Sequence, residues 1–216
     1  MDDVLGNILF TFFLAGILIL GVSLYFYYQY LIRRAFIETA KKHGYRYYYR
    51  SYAIPQRFAF LAQHRRGRGR YAFNILIGQD KNSSRLVFDY TFSTGLGVEK
   101  KWHYSSFAAL RHGKTCPFLR IYPRSMLSVL GDIVGYDEAL FEESEFTQKY
   151  AIYTTDESFA HAMITQPLIE YLFRHPEQSL EVEPYWIALG TSERLVPEEV
   201  PRRVRQIEKV RAILPL

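Results

Sequence analysis

VLGNILFTFFLAGILILGVSLYFYYQYLI, residues 4–32, runs for 29 positions without a charged side chain and is closed by Arg33-Arg34. A helix rises about 1.5 Å per residue and a hydrocarbon core is roughly 30 Å thick, so about 20 apolar residues suffice to cross it. Residues 4–24 meet that length. Tyr25, Phe26, Tyr27, Tyr28 and Tyr30 follow as an interfacial aromatic belt, since rings with an apolar body and a polar tip settle among headgroups. The helix is therefore predicted to continue past the hydrocarbon as a stalk.

A cleaved signal sequence needs a positive start, a short apolar stretch and small residues at the cleavage point. This chain opens on Asp2-Asp3 and carries Tyr-rich sequence where cleavage would fall, so residues 1–32 read as a retained transmembrane anchor. Acids on one flank and Arg33, Arg34, Lys41 and Lys42 on the other predict an outside amino terminus and a cytoplasmic domain. Thr11 and Ala15 are four apart, but no glycine pair accompanies them, so the helix-dimer signal is weak.

The charge is unevenly spread. Residues 33–70 hold eleven Lys and Arg against one acid, Glu38, whereas residues 71–216 are slightly acidic within a chain of net charge +5. Each cation near an anionic leaflet contributes about 1 kcal/mol within a Debye length. Arg33, Arg34, Lys41, Lys42, Arg65, Arg66, Arg68 and Arg70 are thus the candidate contacts to lipid or to an anionic partner. The densest part, His64-Arg65-Arg66-Gly67-Arg68-Gly69-Arg70, reads equally as a solvated loop. Nucleic acid is the competing partner for such a patch, but no groove-reading module accompanies it.

Residues 71–216 are long enough for one cytoplasmic domain with a core. After the helix stop at His43-Gly44, residues 45–52 read as extended. A hairpin follows, with residues 73–77 and 86–92 alternating about a turn at 80–84. Residues 102–110 and 117–122 are further predicted strands, and a short helix is expected over 126–134, closed by Gly135. Residues 146–153 read as a strand, Asp156 as a cap for the next helix, and Thr165-Gln166-Pro167 as a kink or fresh start. Residues 180–189 read as one last strand, which Pro184 would place at an edge or bulge. An amphipathic helix begins between Glu198 and Pro201, with Glu198–Arg202 and Glu199–Arg203 as expected i,i+4 pairs. The fold class is α+β: one transmembrane helix, then a mostly antiparallel sheet covered by helices.

Phe88-Asp89-Tyr90, Phe118-Leu119-Arg120-Ile121-Tyr122-Pro123, the stretch from Asp137 through Phe146 and the ending Val210-Arg211-Ala212-Ile213-Leu214-Pro215 carry a resemblance. Together they resemble a family of uncharacterised bacterial membrane-anchored proteins, over roughly 130 residues. Residues 98–103 depart from it, being shorter than the family's polar hairpin. The resemblance implies a membrane-tethered α+β domain and supplies no activity, substrate or active site to carry over; the span and its charge bias predict the cell inner membrane.

Chemistry-bearing residues are few. Cys116 is the only cysteine, so no intrachain disulfide forms, and its place before Pro117 suits a structural thiol. The six histidines show no ligand spacing, and no metal or cofactor is expected. Asp89 lies mid-strand beside Val87 and Thr91, which reads as a solvated or salt-bridged sheet face. The acids Asp137, Glu138, Glu142, Glu143 and Glu145 suit a solvated run or a basic partner better than paired-carboxylate catalysis.

The functional expectation is a non-catalytic, membrane-anchored accessory or scaffold subunit docked on a larger membrane complex, photosynthetic and respiratory assemblies being examples. Its expected partners are membrane lipids and other subunits, without nucleic acid. A free-standing anionic-lipid or ligand sensor at the inner leaflet is the alternative, and a hydrolase the third.

Overall fold

α1 (Asp2–Lys42) is one unbroken helix of 41 residues. It stops where Gly44 adopts φ +72°, a left-handed conformation that a side chain resists. The Tyr45 N–H then donates to the Ala40 carbonyl at 2.8 Å, and the Gly44 N–H to that of Lys41, satisfying two end carbonyls. The computed structural model describes residues 2–58, 61, 68–79, 84–130, 138, 139, 141, 142 and 144–216. α1 is long and apolar enough to cross a membrane, and none of its most apolar window is buried against the rest of the chain.

After α1 come β1 (Arg46–Ser51), α2 (Ile54–Arg57), β2 (Arg68–Gln79), β3 (Ser84–Thr94), β4 (Lys101–Arg111), β5 (Leu119–Pro123) and α3 (Arg124–Leu130). Then follow α4 (Glu145–Lys149), β6 (Tyr150–Thr154), α5 (Glu157–Met163), α6 (Gln166–Arg174), β7 (Ser179–Glu183), β8 (Trp186–Thr191) and α7 (Val200–Ile213). The strands form one eight-stranded antiparallel sheet in the order β1-β2-β3-β4-β8-β7-β5-β6. The α+β expectation therefore stands.

Strand alternation divides the core between the two faces of the sheet. On one face Val87, Ala108, Leu110, Leu119, Ile121, Leu180, Val182, Ile187 and Leu189 pack beneath α5, α6 and α7. Phe36 and Ala40, near the end of α1, belong to the same core. The apolar stripe expected for the last helix, Val200, Val204, Ile207 and Leu214, is buried, and Val210 is buried with it. On the opposite face Leu86, Phe88, Tyr90 and Phe92 join Phe107, Ala109, Ala188, Phe58 and Leu61. Residues 33–70, read as a basic segment, thus also supply β1, α2, the start of β2 and several core side chains.

Three local readings need correction. Residues 146–149 are helical, because Ser144 and Thr147 form a reciprocal capping box that opens α4; only Tyr150 onward is strand. Residues 180–189 are two strands, not one. Pro184 and Tyr185 form the two-residue turn between β7 and β8, with Glu183 opposite Trp186 and Tyr185 at φ +71°. Proline here makes a hairpin in the middle of the sheet rather than an edge. The pairs expected in α7 also differ. Arg202 pairs with Glu199, one turn earlier, and Arg203 turns inward to donate to the Ser106 carbonyl at 3.2 Å and to the Thr191 hydroxyl at 3.2 Å. The Thr165-Gln166-Pro167 alternative resolves as a fresh start, α6. Residues 80–83 of the expected turn and 131–135 of the expected helix lie outside the described residues.

An aromatic file crosses the second face, with Phe58 stacked on Phe88 at 6.0 Å and Phe88 on Phe107 at 5.5 Å. Phe107 lies opposite Gly190 in the β4–β8 pairing. A Cβ at Gly190 would stand 2.6 Å from the Phe107 ring and 2.6 Å from the Ser179 hydroxyl. Overfilling a packed core costs about 1–3 kcal/mol. Gly190→Val is therefore expected to lower the thermal unfolding midpoint of the detergent-solubilised chain by several degrees; an unchanged midpoint would contradict this packing.

Candidate functional site

The junction between α1 and the sheet holds a pocket of about 190 Å³. Tyr25, Gln29, Ile32 and Arg33 form one wall, at the i, i+4, i+7 and i+8 spacing that shares a helix face. β1 contributes Tyr49 and Arg50, β2 contributes Tyr71, Phe73 and Asn74, and β4 contributes Tyr104. Arg194, in the segment between β8 and α7, completes the lining. No Ser, Cys, His, Asp or Glu is among these residues; the titratable side chains of the lining are its tyrosines and arginines.

Each arginine is laid against an aromatic ring. The guanidinium carbon of Arg33 is 4.8 Å from the centre of the Tyr49 ring, and that of Arg50 is 4.1 Å from Tyr71. Arg194 lies 5.3 Å from Phe73 and 5.2 Å from Tyr104. Stacking engages the face of a guanidinium, while its five N–H donors lie in its plane and stay available. Arg50 spends one donor on the Tyr52 hydroxyl at 3.4 Å. Among the described residues, none of the three arginines forms an ion pair with a carboxylate. The chemistry is that of an anion receptor.

The floor is built by a β-bulge. Phe73 pairs with Asp89 and Leu76 with Val87, so β2 carries one extra residue against β3. Asn74 absorbs the irregularity at φ +48°, a region asparagine tolerates better than most residues. The bulge turns its amide toward Asp89, to which Nδ2 donates at 2.9 Å, while the Tyr47 hydroxyl donates to Asn74 Oδ1 at 3.2 Å. The Leu195 N–H donates to the other Asp89 oxygen at 2.7 Å. This pins the Arg194 segment over the sheet. Asp89 is fully buried, which corrects the expectation of a solvated face: the residues between β8 and α7 cover it. Burial pushes its carboxyl up to about 6 against the pull of those two hydrogen bonds.

The sequence-predicted contact residues scatter. Arg33 and Tyr25 line the pocket. Arg34 pairs with Glu38 at 2.9 Å, and Lys41 and Lys42 are exposed on the last turn of α1. Phe26, Tyr27, Tyr28 and Tyr30 are exposed around the helix. Arg68 and Arg70 begin β2, with Arg68 exposed and Arg70 half-buried. Arg65 and Arg66 lie outside the described residues, as do Asp137 and Glu143 of the acidic run. Of that run, Glu138 pairs with Arg124 and Glu145 with Lys149. Cys116 is half-buried, its thiol reaching the Glu183 carbonyl at 3.5 Å, and burial raises its pKa. Arg50 and Arg194 were not singled out from sequence. Nothing in the sequence near Arg194 pointed to the pocket.

A second polar cluster is enclosed between β5 and β7. Arg120 Nε lies 3.2 Å from Glu181, and its Nη2 lies 3.3 Å from Glu183. All three are nearly inaccessible. Burial pushes the Glu181 carboxyl up to about 8, with the Arg120 charge acting against it. One retained proton leaves Arg120 and Glu183 as a neutral pair, which is how a buried trio with unequal charges avoids a net charge.

What these elements define is an α+β domain built onto one long apolar helix, with an anion-receptive pocket at their junction. No protein-family model matches the chain, and no curated protein matches it. Among solved structures, its fold is similar to the crystal structure of the mycobacterial trehalose monomycolate transport factor A, TtfA. The match has a TM-score of 0.59 at 18% sequence identity and covers 85% of this chain and 96% of that one. The likeness is one of fold.

Proposed function

We propose that this chain is a non-catalytic membrane-anchored accessory subunit whose domain docks on a larger membrane complex. The observation that carries the reading is the way α1 enters the domain. Its apolar length is unburied, while Phe36 and Ala40 are sealed into the sheet's core. An anchor fused to its domain in this way holds that domain at a set height and rotation over a bilayer, as a docking subunit requires. The basic flank after the span supports a cytoplasmic domain, by the positive-inside bias, at the inner membrane. The junction pocket between α1 and the sheet carries no Ser, Cys, His, Asp or Glu, which fits a binding role for it. TtfA is named a trehalose monomycolate transport factor, and a transport assembly is one kind of complex this fold would suit.

The test is purification of the full chain in mild detergent with quantitative mass spectrometry. A partner membrane protein at fixed stoichiometry is expected, and recovery of the chain alone would count against docking. Anchoring is tested separately. An alkaline carbonate wash is expected to leave the chain in the membrane pellet, and protease outside whole cells to spare the domain. Release by carbonate, or loss of the domain to that protease, would overturn the anchor or its orientation.

A further inference from the structure

We infer that the pocket between α1 and the sheet binds the phosphate-bearing headgroup of an anionic lipid. This rests on the reading of α1 as a membrane anchor and adds a specific ligand site to it. Depth is the first argument. The pocket's helical wall starts at Tyr25, immediately after the apolar residues 4–24, and ends at Arg33. Those eight steps rise about 12 Å. The headgroup zone of one leaflet is roughly 5–8 Å deep. The wall therefore begins at headgroup depth, where lipid phosphates are the abundant anions, and continues about 4–7 Å past it to Arg33.

Charge and shape are the second argument. Arg33, Arg50 and Arg194 come from three separate parts of the chain and converge on one cavity, and among the described residues none forms an ion pair with a carboxylate. All three are exposed, so solvent screens their mutual repulsion, and an anion shared between them would relieve what remains. The rings beside them restrict how far the guanidinium groups can swing, which lowers the ordering cost when a ligand arrives. A cavity of about 190 Å³ has room for roughly six waters at about 30 Å³ each, which matches a phosphate with a small polar ester group. Tyr25 and Ile32 give the cavity an apolar side, facing the direction from which acyl chains would come. Asn74 forms the floor, and Asp89 behind it is hydrogen-bonded by Asn74 and Leu195 while its charge attracts Arg194 without forming an ion pair.

A phosphate-bearing ligand has two sources, a lipid or a free anion, and one titration separates them. The full chain in neutral detergent is titrated by calorimetry with dihexanoylphosphatidylglycerol, with dihexanoylphosphatidylcholine and with inorganic phosphate. The expected result is saturable 1:1 binding of the glycerol lipid, at least tenfold tighter than the choline lipid and at least tenfold tighter than phosphate. Affinity should fall with added salt. Arg50→Ala with Arg194→Ala should weaken the glycerol lipid at least tenfold, and Arg194→Lys should keep part of that loss from appearing. Arg34→Ala, whose guanidinium is taken by Glu38, should change it less than twofold. Equal binding of the two lipids, phosphate binding as tightly as the glycerol lipid, or an unaffected double variant with an unchanged unfolding temperature would each overturn the proposal. None of these outcomes touches the carbonate result, so the pocket and the anchor fail separately.

Discussion

Replacing Arg120 with Ala is expected to destabilise the domain by about 3–5 kcal/mol, because it strands the buried Glu183 carboxylate without its cation and leaves Glu181 without a partner. Arg120 is 2% exposed, with Glu181 and Glu183 at 3.2 and 3.3 Å and the Phe118 ring 4.6 Å beneath its guanidinium. The loss should appear as a fall of about 10 °C in the unfolding midpoint of the detergent-solubilised chain at pH 7. The cluster itself need not be a net source of stability, since apolar residues of similar volume often replace a buried ionic group without loss. The triple change Arg120→Met, Glu181→Leu, Glu183→Leu is therefore expected to remain within about 1 kcal/mol of the native chain. An Arg120→Ala loss below about 1 kcal/mol would show that water reaches the cluster.

Stability is expected to decline as pH rises toward 8, and Glu181→Gln to abolish most of that decline. Burial holds the Glu181 proton to about pH 8, whereas an exposed glutamate releases it near its ordinary value of 4.5. Between those values the folded chain binds more protons than the unfolded one, so each unit of rising pH removes up to about 1.4 kcal/mol. The contribution is whole below about 4.5 and is lost as pH passes through about 8. Asp89, raised to about 6, acts in the same direction but is exhausted before pH 7. His112 and His175 are lowered by burial and act in the opposite direction, also below that range. Cys116, raised from 9.0, acts above it. Unfolding measured from pH 7 to 8.5 thus isolates Glu181: a decline of about 1 kcal/mol in the native chain, a flat profile for Gln, and a more stable variant at pH 8.5. Parallel profiles for the two proteins would refute the assignment.

The legible parts of this chain are those governed by neighbours along the sequence. The length of α1 and its stop at Gly44 were readable because hydrocarbon thickness and left-handed backbone each act on consecutive residues. The alternation of Leu86, Phe88, Tyr90 and Phe92 showed the strand they form, and Asp156 announced the helix it caps. Failures were local conflicts. The Ser144–Thr147 capping box outweighed an apparent alternation, and a two-residue Pro184-Tyr185 turn split what looked like one strand.

Residue order alone settled that a long apolar helix precedes an antiparallel α+β domain, since hydrophobic length, period and capping are short-range properties. Which polar groups would be entombed, and which cations would meet, followed from packing over long separations. Leu195 reaches Asp89 across 106 positions, Arg120 reaches Glu183 across 63, and Arg194 joins Arg33 and Arg50 at one cavity. A one-residue bulge at Asn74 turns that amide onto Asp89, and no periodicity records such a register shift. Burial and convergence of charge depend on which strands become neighbours, and that is a property of the closed sheet rather than of any segment within it.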